Sequence, residues 1–209
     1  MKRITCAFLA FVLSCSQASR EPQLAHECAK VGPVVSSDRD AAYATIAPRK
    51  VLIIGDSEAC AVQWQVKNAK LPTDQVDVEC KGGTVVQYWG ASGNMKRALD
   101  RHPGTDVVVI FLGTNHYGQT VTPPVAPILS LVKERGLKCV WVGNTAVNGK
   151  KWKINDLLRM AVTPTCSYFD TEAAGIPLPD GVHPDGTGAL KWLRLVWPTI
   201  PMKHEESDE

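Results

Sequence analysis

Five short apolar runs separated by stretches of helical periodicity constrain this chain more than any other feature. Residues 51–54 and 107–112 are apolar throughout, as strands buried on both faces are, and 139–142 and 166–169 read as further strands. Residues 76–80 instead alternate Val-Asp-Val-Glu-Cys, the period-two pattern of a strand with one wetter face, which places it at a sheet edge. Between the runs, helical spacing recurs. Ala59, Val62, Val66 and Ala69 mark a helix over 58–69, and a short one is expected over 92–101. Pro123 and Pro124 open a third, carrying Val125, Ile128, Leu129 and Val132 and closed by Gly136. Ile154, Leu157, Leu158 and Ala161 mark a fourth; Leu190, Leu193 and Trp197 mark the last, stopped by Pro198. Strands alternating with helices predict an α/β fold, a three-layer α/β/α sandwich around a five-stranded parallel sheet. Ligands of such sheets sit beyond the C-terminal ends of the strands, so the loops after each strand are where chemistry is expected.

The ends of the chain read differently. Lys2 and Arg3, then an apolar run from Ala7 to Leu13, then small and polar residues to Ser19, follow the layout of a secretory signal peptide over 1–19. Val12-Leu13-Ser14-Cys15 also resembles a bacterial lipobox, which would anchor the chain by a lipid on Cys15. The expected location is therefore periplasmic or extracellular, with no membrane-spanning segment. Residues 20–48 are a polar linker or arm, 49–201 the folded domain, and 202–209 a charged tail expected to be disordered. The 209 residues, 44% apolar and 21% charged, suit one globular domain. The net charge of +2 comes from Lys2 and Arg3; the remainder is neutral, which gives no reason to expect nucleic acid as a partner. A monomer is expected.

Four loops then stand out. Gly55-Asp56-Ser57 follows the first strand, where Ser57 would sit exposed at a helix N-terminus. Lys81-Gly82-Gly83-Thr84 follows the second, with glycines that let backbone N–H groups face a ligand. Gly113-Thr114-Asn115 follows the third, placing an amide donor at the same end of the sheet. Asp180-Gly181-Val182-His183 follows the fifth, so that His183 could take the Ser57 proton while Asp180 holds its other ring nitrogen. Each has an ordinary reading as a cap or turn; four in order, each just past a strand, are a pattern.

In these blocks the chain resembles the SGNH hydrolases, or GDSL-type esterases and lipases, over residues 51–197. The resemblance implies a flavodoxin-like sheet and a catalytic set of Ser57 as nucleophile, His183 as general base and Asp180 as its orienting partner. It implies an oxyanion hole built from the backbone N–H of Ser57, the backbone N–H of Gly82 and the side chain of Asn115, with Gly83 an alternative to Gly82. It implies no cofactor. The sequence agrees in showing no Cys-x-x-Cys or His-x-x-x-His metal spacing and no phosphate-binding Gly-x-x-x-x-Gly-Lys. His116 departs from the Asp that often follows the third-block Asn. Ala59, two residues after Ser57, breaks the Gly-x-Ser-x-Gly elbow of α/β-hydrolases.

The implied activity is hydrolysis of a carboxylic ester through an acyl-enzyme. Tyr88, Trp89, His116 and Tyr117 follow the oxyanion loops and could stack on a sugar. An acetyl ester on a polysaccharide or cell-envelope substrate is the leading expectation, ahead of a small-molecule or short-chain lipid ester. A catalytically idle carbohydrate-binding or envelope-assembly domain is the reading from another class. Beyond the signal segment stand Cys28, Cys60, Cys80, Cys139 and Cys166. Cys139 with Cys166, then Cys60 with Cys80, are the candidate disulfides.

Overall fold

In the computed structural model, which describes residues 48–71 and 74–201, five parallel strands stand in the order β2-β1-β3-β4-β5. They are β1 (Lys50–Gly55), β2 (Gln75–Cys80), β3 (Val107–Phe111), β4 (Lys138–Val142) and β5 (Ser167–Phe169). This is the flavodoxin-like doubly wound order, in which the chain reverses direction across the sheet between β1 and β3. The expected signal segment, lipobox Cys15, arm, Cys28 and terminal tail lie outside the described residues. Among the described residues no helix is long and apolar enough to cross a membrane.

Why these runs become central strands is visible in their two faces. Leu52, Ile54, Val108, Ile110 and Trp141 point one way, into a core that includes Met95, Ala98, Ile128, Val132, Ile154 and Leu158. Those partners come from α3 (Asn94–Arg101), α4 (Ala126–Glu134) and α5 (Lys153–Val162). Val51, Ile53, Val107, Val109, Phe111, Val140 and Val142 point the other way, against α1 (Ser57–Gln63) and α6 (Gly186–Val196). The period-two alternation of a strand thus meets apolar cover on both sides, at about 1.5–3 kcal/mol for each large side chain fully buried. β2 is the edge strand, as its alternating sequence predicts, and its side chains are only partly covered.

The helices differ from the expected spans in instructive ways. α1 is regular only to Gln63, and the chain then turns through to Lys70, leaving Trp64 exposed. α4 begins at Ala126, past Pro123 and Pro124, with Pro127 in its first turn where its missing N–H costs nothing. A four-residue helix, α2 (Val86–Trp89), escapes the periodicity because one turn is too short to show it. Both candidate cysteine pairs are disulfide-bonded. Cys60–Cys80 ties α1 to the end of β2, and Cys139–Cys166 ties the starts of β4 and β5.

At the opposite end of the sheet Arg49 closes the fold. Its Nε and Nη2 bind Asp74 at 3.0 and 2.6 Å, and its Nη1 donates to the Ile200 carbonyl at 2.8 Å. All the strands point their C-terminal ends away from this clamp.

Candidate active site

Ser57 opens α1 immediately after β1. Gly55 is required there because a Cβ would collide with the Phe111 carbonyl of the neighbouring strand. Asp56 is the helix N-cap, its Oδ1 accepting the Glu58 N–H at 3.0 Å, and so fixes the first turn on which Ser57 stands.

The loop before α6 brings the other two residues to Ser57 from 126 positions away. Asp180 Oδ1 accepts the backbone N–H groups of Val182 at 2.8 Å and His183 at 2.6 Å, winding 180–183 into a tight turn. Asp180 Oδ2 lies 2.8 Å from His183 Nδ1, and His183 Nε2 lies 3.0 Å from Ser57 Oγ. The His183 backbone N–H, then its ring N–H, then the Val182 N–H hold the Asp180 carboxyl well below the usual carboxylate range. An ionised carboxylate only accepts, so Nδ1 must carry a proton and donate to it. In the neutral ring Nε2 is then a bare acceptor, and the Ser57 hydroxyl donates to it.

Gly82 and Asn115 both neighbour the turn that carries Ser57. A Cβ added at Gly82 would lie 4.0 Å from Ser57 Cβ, whereas Gly83 faces open space and takes the left-handed φ of +71° that turns the loop. Gly82 is therefore the glycine beside Ser57. Thr84 donates its hydroxyl to the Lys81 carbonyl at 2.8 Å and accepts the Trp89 indole N–H at 3.1 Å. Its carbonyl in turn accepts Asn115 Nδ2–H at 2.9 Å. The second Asn115 N–H makes only a long contact of 3.3 Å to Asp56 Oδ2, the hydrogen it can most readily turn to an oxyanion.

Two of the four proposed stacking residues are not available. Trp89 is buried in the core. His116 is 2% exposed, its Nε2 accepting the Val86 N–H at 3.1 Å and its Nδ1 facing Gln119 Oε1 at 3.0 Å. His116 thus braces the Asn115 turn against α2. Tyr117 is exposed, edge-on to Trp152 at 5.7 Å, and Tyr88 is half-buried beneath Lys81 at 4.9 Å. Trp152 was not among the predicted residues; it sits at the head of α5, distant in sequence from every block.

Sequence reasoning also passed over Glu58. It is wholly buried, one oxygen accepting the Thr145 hydroxyl at 3.2 Å and the other, Oε2, without a hydrogen-bond partner. Burial, then the neighbouring Asp56 charge, pushes the Glu58 carboxyl above its ordinary range. Burial pushes Asp56 up as well, opposed by the N–H groups of Glu58 and Gly113 and the Asn115 amide. The available signal was its spacing of four from Val62 on the apolar stripe of α1. Among the described residues no group of three or more His, Cys, Asp or Glu is arranged to hold a metal ion.

No family model matches the sequence, and no curated protein matches it at a significant level. Solved structures do match. A lipase/acylhydrolase from Enterococcus faecalis is similar with a TM-score of 0.52 at 16% identity, over 75% of this chain and 99% of that one. The C-terminal catalytic domain of Streptococcus pneumoniae peptidoglycan O-acetyltransferase A, bearing a methylsulfonyl adduct, gives 0.50 at 16%, over 76% and 99%. A member of the lipolytic protein G-D-S-L family from Veillonella parvula gives 0.50 at 16%, over 70% and 95%. The chain has the SGNH hydrolase fold.

Proposed function

We infer that the protein is an exported serine esterase of the SGNH type, hydrolysing acetyl or other short-chain carboxylic esters on a carbohydrate or cell-envelope substrate. The observation that carries this reading is the continuous hydrogen-bonded relay from Ser57 Oγ through His183 to Asp180, at 3.0 and 2.8 Å. In the reaction Ser57 Oγ attacks the ester carbonyl carbon while its proton passes to His183 Nε2. The tetrahedral oxyanion is met by the backbone N–H groups of Ser57 and Gly82 and by Asn115 Nδ2, each donor worth on the order of 3 kcal/mol in comparable sites. Collapse returns the proton from His183 to the departing alkoxide and leaves an acyl-enzyme. Water, deprotonated by the same nitrogen, then attacks the acyl carbon; the bond to Ser57 Oγ breaks, the acid leaves, and His183 returns the proton to Ser57 Oγ.

The openness of the site supports this substrate class. His183 and Asp180 are 45% and 57% exposed on their side chains, so that among the described residues nothing covers them against a bulky alcohol such as a polysaccharide. That the peptidoglycan O-acetyltransferase domain shares the fold is consistent with an acetyl group on an envelope glycan.

Ser57→Ala is expected to abolish turnover of a 4-nitrophenyl acetate substrate with an unchanged circular dichroism spectrum; undiminished turnover would end the assignment. Acetate release from O-acetylated peptidoglycan, acetylated xylan and simple esters, compared side by side, ranks the substrates. A fluorophosphonate probe that fails to label Ser57 would favour the idle binding domain instead.

A further inference from the structure

The buried carboxyl of Glu58 lies one residue from the nucleophile and has no part in the relay just described. It is anchored by three strand ends at once. Its own helix follows β1. Its Oε1 accepts the Thr145 hydroxyl from the turn after β4, and the Thr114 hydroxyl from the turn after β3 also acts on it. The β4 turn continues to Asn148, whose N–H donates to the Gly181 carbonyl at 2.6 Å, inside the Asp180–His183 loop. The β3 turn carries Asn115, whose amide reaches Asp56. Glu58 is therefore the side chain through which the nucleophile's helix, the oxyanion turn and the base loop are held in one register.

Its charge state decides whether that register holds. The charged group that acts most strongly on Glu58 is Asp56, two residues away and equally buried; His183 acts on Asp56. The β3 and β4 turns offer neutral donors that oppose the rise, the Thr114 and Thr145 hydroxyls and the Thr145 N–H. An ionised Glu58 would place an anion with one orphaned oxygen beside a second buried carboxylate, and an unpaired buried charge costs far more than an unpaired neutral group. The geometry points to Glu58 as a positioning residue that works as a neutral acid, its lack of charge letting Ser57, Asn115 and the His183 loop stay packed in register, so that its ionisation at alkaline pH slackens the site. This rests on the serine-esterase reading for its kinetic consequence, but not for its structural one.

Two measurements test it separately. The first is stability against pH, which needs no activity. A raised acid binds a proton in the folded state that the unfolded chain has already released, so stability falls as pH rises from the ordinary glutamate value near 4.5 to the raised one and is level above it. The Tm of the wild type should fall relative to that of Glu58→Gln across that window. A constant gap between the two from pH 4 to pH 10 would overturn the proposal even if the protein proved to be no esterase.

The second is the pH profile of kcat/KM with 4-nitrophenyl acetate. Glu58→Gln keeps the shape and the Thr145 bond, so its plateau should stay within about a factor of three of wild type while the alkaline limb disappears. Glu58→Ala, which removes the anchor, should lower kcat by about 10-fold or more, since small displacements of catalytic groups are costly. An alkaline limb at the same pH in wild type and Glu58→Gln, or a Glu58→Ala plateau equal to that of Glu58→Gln, would each overturn the role. Absence of turnover in all three, with the Tm result as expected, would instead fault the esterase reading.

Discussion

Two carboxylate-bearing turns flank Ser57, and they are built in opposite ways. The Asp180–His183 turn lies in the open, with the carboxylate satisfied by two backbone N–H groups and a ring N–H. The Asp56–Glu58 turn is shut away, with two carboxyls at zero exposure and one oxygen unpartnered. The first is held ionised by donors that come with its own loop; the second is pushed toward its neutral form by burial. An exposed carboxylate that brings its own donors can orient a base without straining the fold. A buried pair costs stability, which is tolerable only where the rigidity it imposes on the neighbouring turns is needed. Under the proposed function, the exposed turn moves the proton and the buried turn holds the geometry.

The largest expected effect breaks the exposed turn at its base. His183→Ala should lower kcat by up to about 10⁶-fold, and adding Ser57→Ala should cost little more, because the two act as a unit. Additive losses in the double variant would mean that the residues do not share one step.

Asp180→Asn comes next and sharpens the role of exposure. Its Nδ2 would face His183 Nδ1 with a donor and favour the wrong tautomer, a change worth about 10⁴-fold where the Asp is buried. At 57% exposure water can stand in as acceptor, so a kcat loss nearer 10²-fold is expected, with Tm almost unchanged. The linkage sign is that of a depressed acid: the carboxylate's small stabilisation is present above its ordinary value of 3.8 and is lost only as the pH falls through the lower folded value. A thermal melt of Asp180→Asn showing a large loss at pH 7 would contradict the view that this turn carries little stability.

Asp56→Asn applies the same chemical change to the buried turn, and its signature is different. Asn caps a helix about as well as Asp, so α1 should survive. Removing the Asp56 charge removes one of the two causes that raise Glu58. The upper end of the pH window over which the protein loses stability should therefore move to lower pH, and the alkaline limb of kcat/KM with it. A limb that stayed in place would uncouple the two carboxyls.

The two turns also differ in how far the sequence discloses them. Ser57, Gly82 and Asn115 can be placed from sequence because each stands within a few residues of the end of a strand, so sequence order locates them at one end of the sheet; Asp180 and His183 lie further on, past a turn after β5, and are paired by their own spacing of three. The resemblance prefers Gly82 to Gly83 through Thr84, and Gly82 is the glycine beside Ser57. Glu58 is not legible in the same way: an acidic residue in the first turn of a helix is ordinarily solvated and favoured by the helix dipole. Only tertiary packing, the arrival of Thr145 from 87 residues on, buries it. His116 misled for a related reason. An imidazole beside an oxyanion loop reads as a surface group until the Val86 N–H, 30 residues away, is seen to occupy it. Long-range hydrogen bonds leave no period in the sequence.

The two disulfides give the smallest and most selective test of the contrast between site and scaffold. Cys60–Cys80 and Cys139–Cys166 close loops of similar length, with separations of 20 and 27, so removal of either is expected to cost about 3 kcal/mol and lower Tm by about 10 °C. Their positions differ. Cys60 is in the helix of Ser57 and Cys80 ends β2, two residues before Gly82, so under the proposed function this bridge spaces the nucleophile from an oxyanion donor. Cys139 and Cys166 lie at the starts of their strands, at the end of the sheet remote from the site. Well below the melting temperature, replacing Cys60 and Cys80 by serine should reduce kcat by about 3- to 10-fold through that spacing. The same replacement at Cys139 and Cys166 should leave kcat within error. Equal kcat losses in the two double variants would show that the bridges act only through global stability and that the spacing of Ser57 from Gly82 is set by the sheet itself.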